Sequence, residues 1–184
     1  MVYETQQKEQ TMYIELSIFA IISAIMLFGF IFSGVAKFGL LRSYSAYAQK
    51  WATYKPLNNI SLWSVITIVS AFLICPVLIE LGVGTVWQFL GFLVPVYLIV
   101  IGLTPEFETK EIQFWIHVFF SVLCFLGGLG WVFFVMHAGR LFAGVVAFVL
   151  TIALMTGTFR SSAIFWTEMT LFLSVYLIVL LAIV

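Results

Sequence analysis

Charge is what this 184-residue chain has least of. Asp, Glu, Lys and Arg make up 9% of it, eight acidic against eight basic, beside 64% hydrophobic residues. Soluble domains carry about 25% charged residues, so a water-soluble globule is excluded: so few charges cannot cover its surface. The same apolar content excludes a disordered chain, which stays open because it has too little to bury. A net charge of zero leaves no basic face for nucleic acid, whose binding needs clustered Lys and Arg to displace counterions. The two cysteines, Cys75 and Cys124, lie far apart inside apolar runs and form neither a disulfide framework nor a metal-binding spacing. They read as small buried apolar side chains. Two histidines, His117 and His137, cannot build a His-rich metal site; zinc would need His117, Glu168, Glu106 and a water. No nucleophile elbow, Gly-rich phosphate loop or His pair at i, i+4 occurs. No Lys lies deep in an apolar stretch, which argues against a retinal Schiff base. The expectation is a chain with no metal and no cofactor.

What is abundant is long apolar sequence. A helix needs about 20 apolar residues to cross the hydrocarbon core, and six such stretches stand out: 13–36, 61–81, 85–103, 113–136, 141–157 and 163–184. They are separated by breaks that suit loops, among them Gly82 with Gly84, Thr104-Pro105, 137–140 and 158–162. Runs such as 171–184 show no alternation of apolar and polar residues, so helices rather than barrel strands are expected. Pro76 and Pro95 lie inside consecutive stretches and are expected to kink them. The first stretch has no basic region before it and exceeds a secretory signal core, so it is expected to stay in the membrane. The fold class is therefore all-α: one domain over 1–184, a polytopic transmembrane bundle of six spans.

Lys and Arg in short loops set orientation. The first, third and fifth loops hold Lys37, Arg42, Lys50, Lys55, Lys110 and Arg160; the other side holds only Lys8 and Arg140. Six against two places the first group in the cytoplasm and both termini outside, in a bacterial inner (plasma) membrane. Within the first loop, Tyr44, Tyr47, Trp51 and Tyr54 recur at helical spacing, with Arg42 and Lys50 among them. That spacing predicts an interfacial amphipathic helix between spans one and two, its rings at headgroup depth and its cations reaching lipid phosphates. Arg42, Tyr47, Lys50 and Trp51 are the candidate lipid-headgroup residues; the plainer reading is an aromatic belt that only anchors the fold.

Ionisable side chains inside a bilayer are costly and are site candidates by default. His117 lies about 6 Å into span four and Glu168 at a similar depth in span six, both from the cytoplasmic side, with Trp166 just above and Glu106 in the neighbouring loop. They can meet if their helices are neighbours. Such a pair can be a structural bond between spans, worth roughly 0.6–2 kcal/mol, or a ligand or proton site. On the other side, Glu15, Glu80, Gln88, His137 and Arg140 lie near the interface. Aromatic residues make up 18% of the chain, and those of spans four and six, Trp131 and Trp166 included, either pack or line a pocket for an apolar ligand.

The order Pro76-x3-Glu80, Thr104-Pro105-Glu106-Phe107, His117, Trp131, Trp166-x-Glu168 and Tyr176 resembles a set of small six-helix membrane proteins of gut bacteria and their phages. Their layout is similar to that of the DRAM/Frag-type six-helix families. The resemblance covers roughly residues 40–180. It implies a six-helix bundle, marks Glu80, Pro105, His117, Trp131 and Glu168 for testing, and supplies no substrate.

The expected function is a non-enzymatic membrane module that binds a lipid or small apolar ligand, or docks on a membrane partner. Its expected partners are membrane lipids, a second copy of the chain or another membrane protein, and no nucleic acid. The alternatives are a small proton-linked transporter or channel using His117 and Glu168, and an intramembrane lipid-acting enzyme using Glu168 or Glu106 with His117 as acid and base.

Overall fold

The structure is a computed structural model and describes residues 2–41, 43–54, 62–104, 111–136 and 163–183. Every regular element among them is a helix: α1 (Val2–Phe38), α2 (Tyr44–Tyr54), α3 (Leu62–Leu81), α4 (Gln88–Leu103), α5 (Glu111–Val135) and α6 (Ala163–Ile183). Three helical stretches are long and apolar enough to cross a membrane: Gln6–Phe38 of α1, α3, and Ile112–Val135 of α5. α4, with 16 residues, and the apolar stretch Glu168–Ile183 of α6 are shorter. The expected stretch 141–157 lies outside the described residues.

Two boundaries differ from the expected spans for physical reasons. α1 begins well before residue 13, because Gln6 to Gln10 is built of Gln, Lys and Glu, good helix formers that hydropathy overlooks. α4 begins at Gln88 rather than 85, because 82–87 forms a turn. There Gly82 N–H donates to Leu78 O at 3.2 Å and Thr85 N–H to Gly82 O at 3.1 Å, and Gly84 takes a φ of +83°.

Successive helices pack side by side: α1 on α3, α3 on α4, α4 on α5, α5 on α6, and α6 back on α1. α2 lies across one end, against α1 and α3. The α3/α4 seam is the tightest. At one end a Cβ on Gly91 would stand 2.7 Å from Leu78 O; at the other, a Cβ on Gly102 would overlap the Thr67 hydroxyl. Close backbone approach through small residues is how apolar helices gain contact when both flanks are equally greasy. Ser64 Oγ adds a bond across the seam to Gly102 O at 2.6 Å.

The core holds Leu27, Ile31, Val77, Leu78, Val132 and Val179, all essentially buried. The outside is equally apolar: Ile25, Phe72, Phe92, Phe119 and Leu181 are each more than half exposed. Soluble monomers rarely expose contiguous apolar surface beyond a few hundred Å².

Candidate functional site

Among the described residues, the end of the bundle that α2 covers holds a cluster of aromatic and charged contacts. α1 stops at Phe38 because Gly39 takes a left-handed φ of +73°, its N–H still donating to Val35 O at 2.9 Å. The chain reverses and Ser43 starts α2: Ser43 Oγ accepts from Ala46 N–H at 3.2 Å, as an N-cap does. Glu168, from α6, completes the cap. Its Oε2 accepts from Tyr44 N–H at 2.8 Å, across 124 positions of sequence. An anion at a helix N-terminus is favoured both by that bond and by the helix dipole.

α2 is fastened by its inward face. Tyr44 stacks on Phe172 with ring centroids 5.5 Å apart, meets Phe165 edge-on at 5.2 Å, and donates its hydroxyl to Met169 Sδ at 2.8 Å. Tyr47 lies over Gly34 of α1, where a Cβ would stand 2.6 Å from its ring. Its hydroxyl donates to Gly39 O and accepts from Leu41 N–H, both at 2.9 Å, closing the α1–α2 turn. Burial raises both phenols above their ordinary pKa of 10.0; for Tyr44 the charge of Glu168 adds to the effect, and for Tyr47 the bond from Leu41 N–H partly offsets it.

The outward part of α2 is different. Trp51 is half-buried, edge-on to Phe38 at 5.1 Å, with Lys37 Nζ 5.4 Å above its ring. Lys50, the next residue back, is exposed. We call this assembly of Lys37, Lys50, Trp51 and the α2 backbone the collar.

Of the headgroup candidates, Lys50 and Trp51 belong to this outward part. Tyr47 does not: it is fully buried and its hydroxyl is committed to the turn, so it holds α2 in place instead of facing headgroups. Arg42 lies outside the described residues, as does Glu106. Lys37 was legible only as an orientation charge; its place at the end of an apolar stretch, before an aromatic helix, was the signal for more.

His117 and Glu168 lie on neighbouring helices at the same end, and their described bonds go to different partners. His117 is 5% exposed, and its Nδ1–H donates to Thr104 O at 2.6 Å, the first carbonyl past α4. That bond ties α5 to the C-terminus of α4, the negative end of its dipole. Trp166 is exposed, edge-on to Phe165 at 5.5 Å. Trp131 and Glu80 lie at the opposite end of the bundle. Trp131 is buried, and its Nε1–H donates to Leu78 O at 3.2 Å, joining α5 to the last turn of α3; Glu80 is half-buried in that same turn.

A polar layer at mid-bundle was not singled out by sequence. Ser23 of α1 donates to Ser70 O of α3 at 3.0 Å and shares a short hydroxyl bond with Tyr176 of α6. Cys124 of α5 approaches Val94 O of α4 at 3.8 Å nearby in the same bundle. Among the described residues no group of three His, Cys, Asp or Glu side chains is placed to hold a metal. In comparison with known proteins, no family model, no curated protein and no solved structure matches this chain.

Proposed function

We propose that this is a non-enzymatic integral membrane protein of six spans that holds an anionic lipid by its headgroup at the collar. The observation that carries the reading is Lys37 Nζ above the Trp51 ring, with Lys50 exposed beside it, at the end of a bundle whose flanks expose Ile25, Phe72 and Phe119. An indole at the edge of an apolar surface suits the boundary between acyl chains and headgroups, and cations there reach phosphate oxygens. Each Lys near an anionic leaflet adds about 1 kcal/mol of attraction. The excess of Lys and Arg in the sequence of the first, third and fifth loops supports assigning the collar to the cytoplasmic leaflet of a bacterial inner membrane. The backbone bonds of His117 and Glu168 give both a part in holding helices together.

Native mass spectrometry of the protein in mild detergent, titrated with phosphatidylglycerol or phosphatidylcholine, tests this. The expected result is at least a five-fold preference for the anionic lipid, lost in the double variant Lys37→Gln, Lys50→Gln. Equal retention of the two lipids, or retention of neither, overturns the proposal.

A further inference from the structure

Trp63, near the start of α3, is 2% exposed and leans on Phe30 of α1, with ring centroids 5.3 Å apart. Its Nε1–H is buried and has no hydrogen-bond acceptor among the described residues. The contrast is Trp131, equally buried, whose Nε1–H reaches Leu78 O. A buried indole N–H normally finds an acceptor, because leaving it unmade forfeits the bond it would have had with water.

The position of that donor is informative. Contact with Phe30 puts Trp63 on the seam between α1 and α3, and α2 packs on both of those helices. Side chains on a helix lean toward its N-terminus, which for α3 is the end beneath α2. Along α1, Phe30 lies two turns below Lys37, about 10 Å by helical rise. The seam therefore offers a cation at the collar and, below it beside Phe30, a buried N–H donor with no acceptor among the described residues. A diacyl glycerophospholipid presents the complementary groups in the same order: an anionic phosphate, then ester carbonyl oxygens that only accept, then apolar chains.

We propose that the lipid held at the collar is an ester-linked glycerophospholipid, and that Trp63 Nε1–H donates to one of its ester carbonyls. This rests on the collar reading and specifies its ligand. A lipid with the same phosphate but ether-linked chains lacks the carbonyl, keeps only the weaker ether oxygens as acceptors, and binds more weakly.

The test is a titration, followed by native mass spectrometry, of wild type and Trp63→Phe with ester-linked and ether-linked phosphatidylglycerol of equal chain length. Wild type is expected to hold the ester form about five-fold more tightly, the scale of one hydrogen bond of roughly 1 kcal/mol. Trp63→Phe keeps a ring in the seam and removes the donor, so its ester affinity is expected to fall to the ether value, with the ether affinity unchanged. Equal binding of the two lipids by wild type overturns the ester contact and leaves the collar reading standing. A preference that survives in Trp63→Phe overturns the role of the indole. Binding of neither lipid overturns both. The wild-type comparison decides the ester preference even if the variant fails to fold.

Discussion

At the scale of single residues, Glu168 shows how far a role can lie from its sequence signal. A carboxylate in an apolar helix reads as a site candidate, and its depth could be counted from the start of the span. What sequence could not supply was its partner, since Tyr44 N–H is a backbone group 124 positions away, indistinguishable from any other until α2 is folded against α6. The same holds for His117, whose acceptor is the carbonyl of Thr104, and for Trp131, whose acceptor is that of Leu78. Side chains with visible chemistry were legible; their backbone partners were not. Glu168→Ala is expected to destabilise the protein by about 1–2 kcal/mol, the cost of a lost cap and charge-assisted bond, while Glu168→Gln, which keeps an acceptor oxygen, loses less. Thermal unfolding in detergent measures both, and an unchanged Glu168→Ala midpoint would contradict the capping role.

The two raised phenols give this residue-scale account a pH dependence. Burial holds Tyr44 and Tyr47 protonated in the folded protein beyond the pH at which a free phenol ionises. Their contribution to α2 docking is then complete below the ordinary value of 10.0 and declines as pH rises above it, because the undocked phenols release protons first. Trp51 fluorescence is expected to report release of α2 at alkaline pH. Tyr44→Phe should weaken that dependence, and a flat profile to pH 11.5 or so would count against it.

At the scale of elements, apolar stretches located helices well and their ends less well. The run 61–81 matches α3 closely, and Tyr44, Tyr47, Trp51 and Tyr54 at helical spacing mark α2. Ends failed where a rule other than hydropathy governs, as in the polar first turns of α1 and the glycine turn before α4. Pairing of elements was not legible, because the Gly91 and Gly102 contacts depend on which helix lies opposite. Gly91→Ala is expected to lower stability by about 1–3 kcal/mol through overpacking, since the obstacle, Leu78 O, is backbone and cannot rotate away. Gly29→Ala, with nothing within 4 Å of the added carbon, is expected to be neutral or to stabilise by up to about 1 kcal/mol. Paired unfolding curves check the contrast, and similar losses at both sites would refute the seam argument. α1 also exceeds its neighbours: its 37 residues rise about 55 Å, against a hydrocarbon core of about 30 Å. Trypsin is expected to cut after the exposed Lys8 before it cuts after Lys37, whose ammonium lies over the Trp51 ring.

At the scale of the whole molecule, composition argued for a membrane chain over a soluble globule, and the described residues show how the apolar side chains are shared: one set fills the core and another covers the flanks. An apolar exterior with a basic, aromatic collar at one end is the pattern the proposed function rests on. The most direct measurement places both parts in a bilayer. With Cys75 and Cys124 replaced by serine or alanine, a nitroxide is attached at Phe72→Cys, midway along α3, or at Lys50→Cys, on the collar. Access of oxygen and of a water-soluble nickel chelate is then read in vesicles of phosphatidylglycerol and phosphatidylcholine. The account predicts that position 72 meets oxygen and excludes the chelate, while position 50 lies at headgroup depth. Free access of the chelate to position 72, or position 50 far out in water, would contradict it.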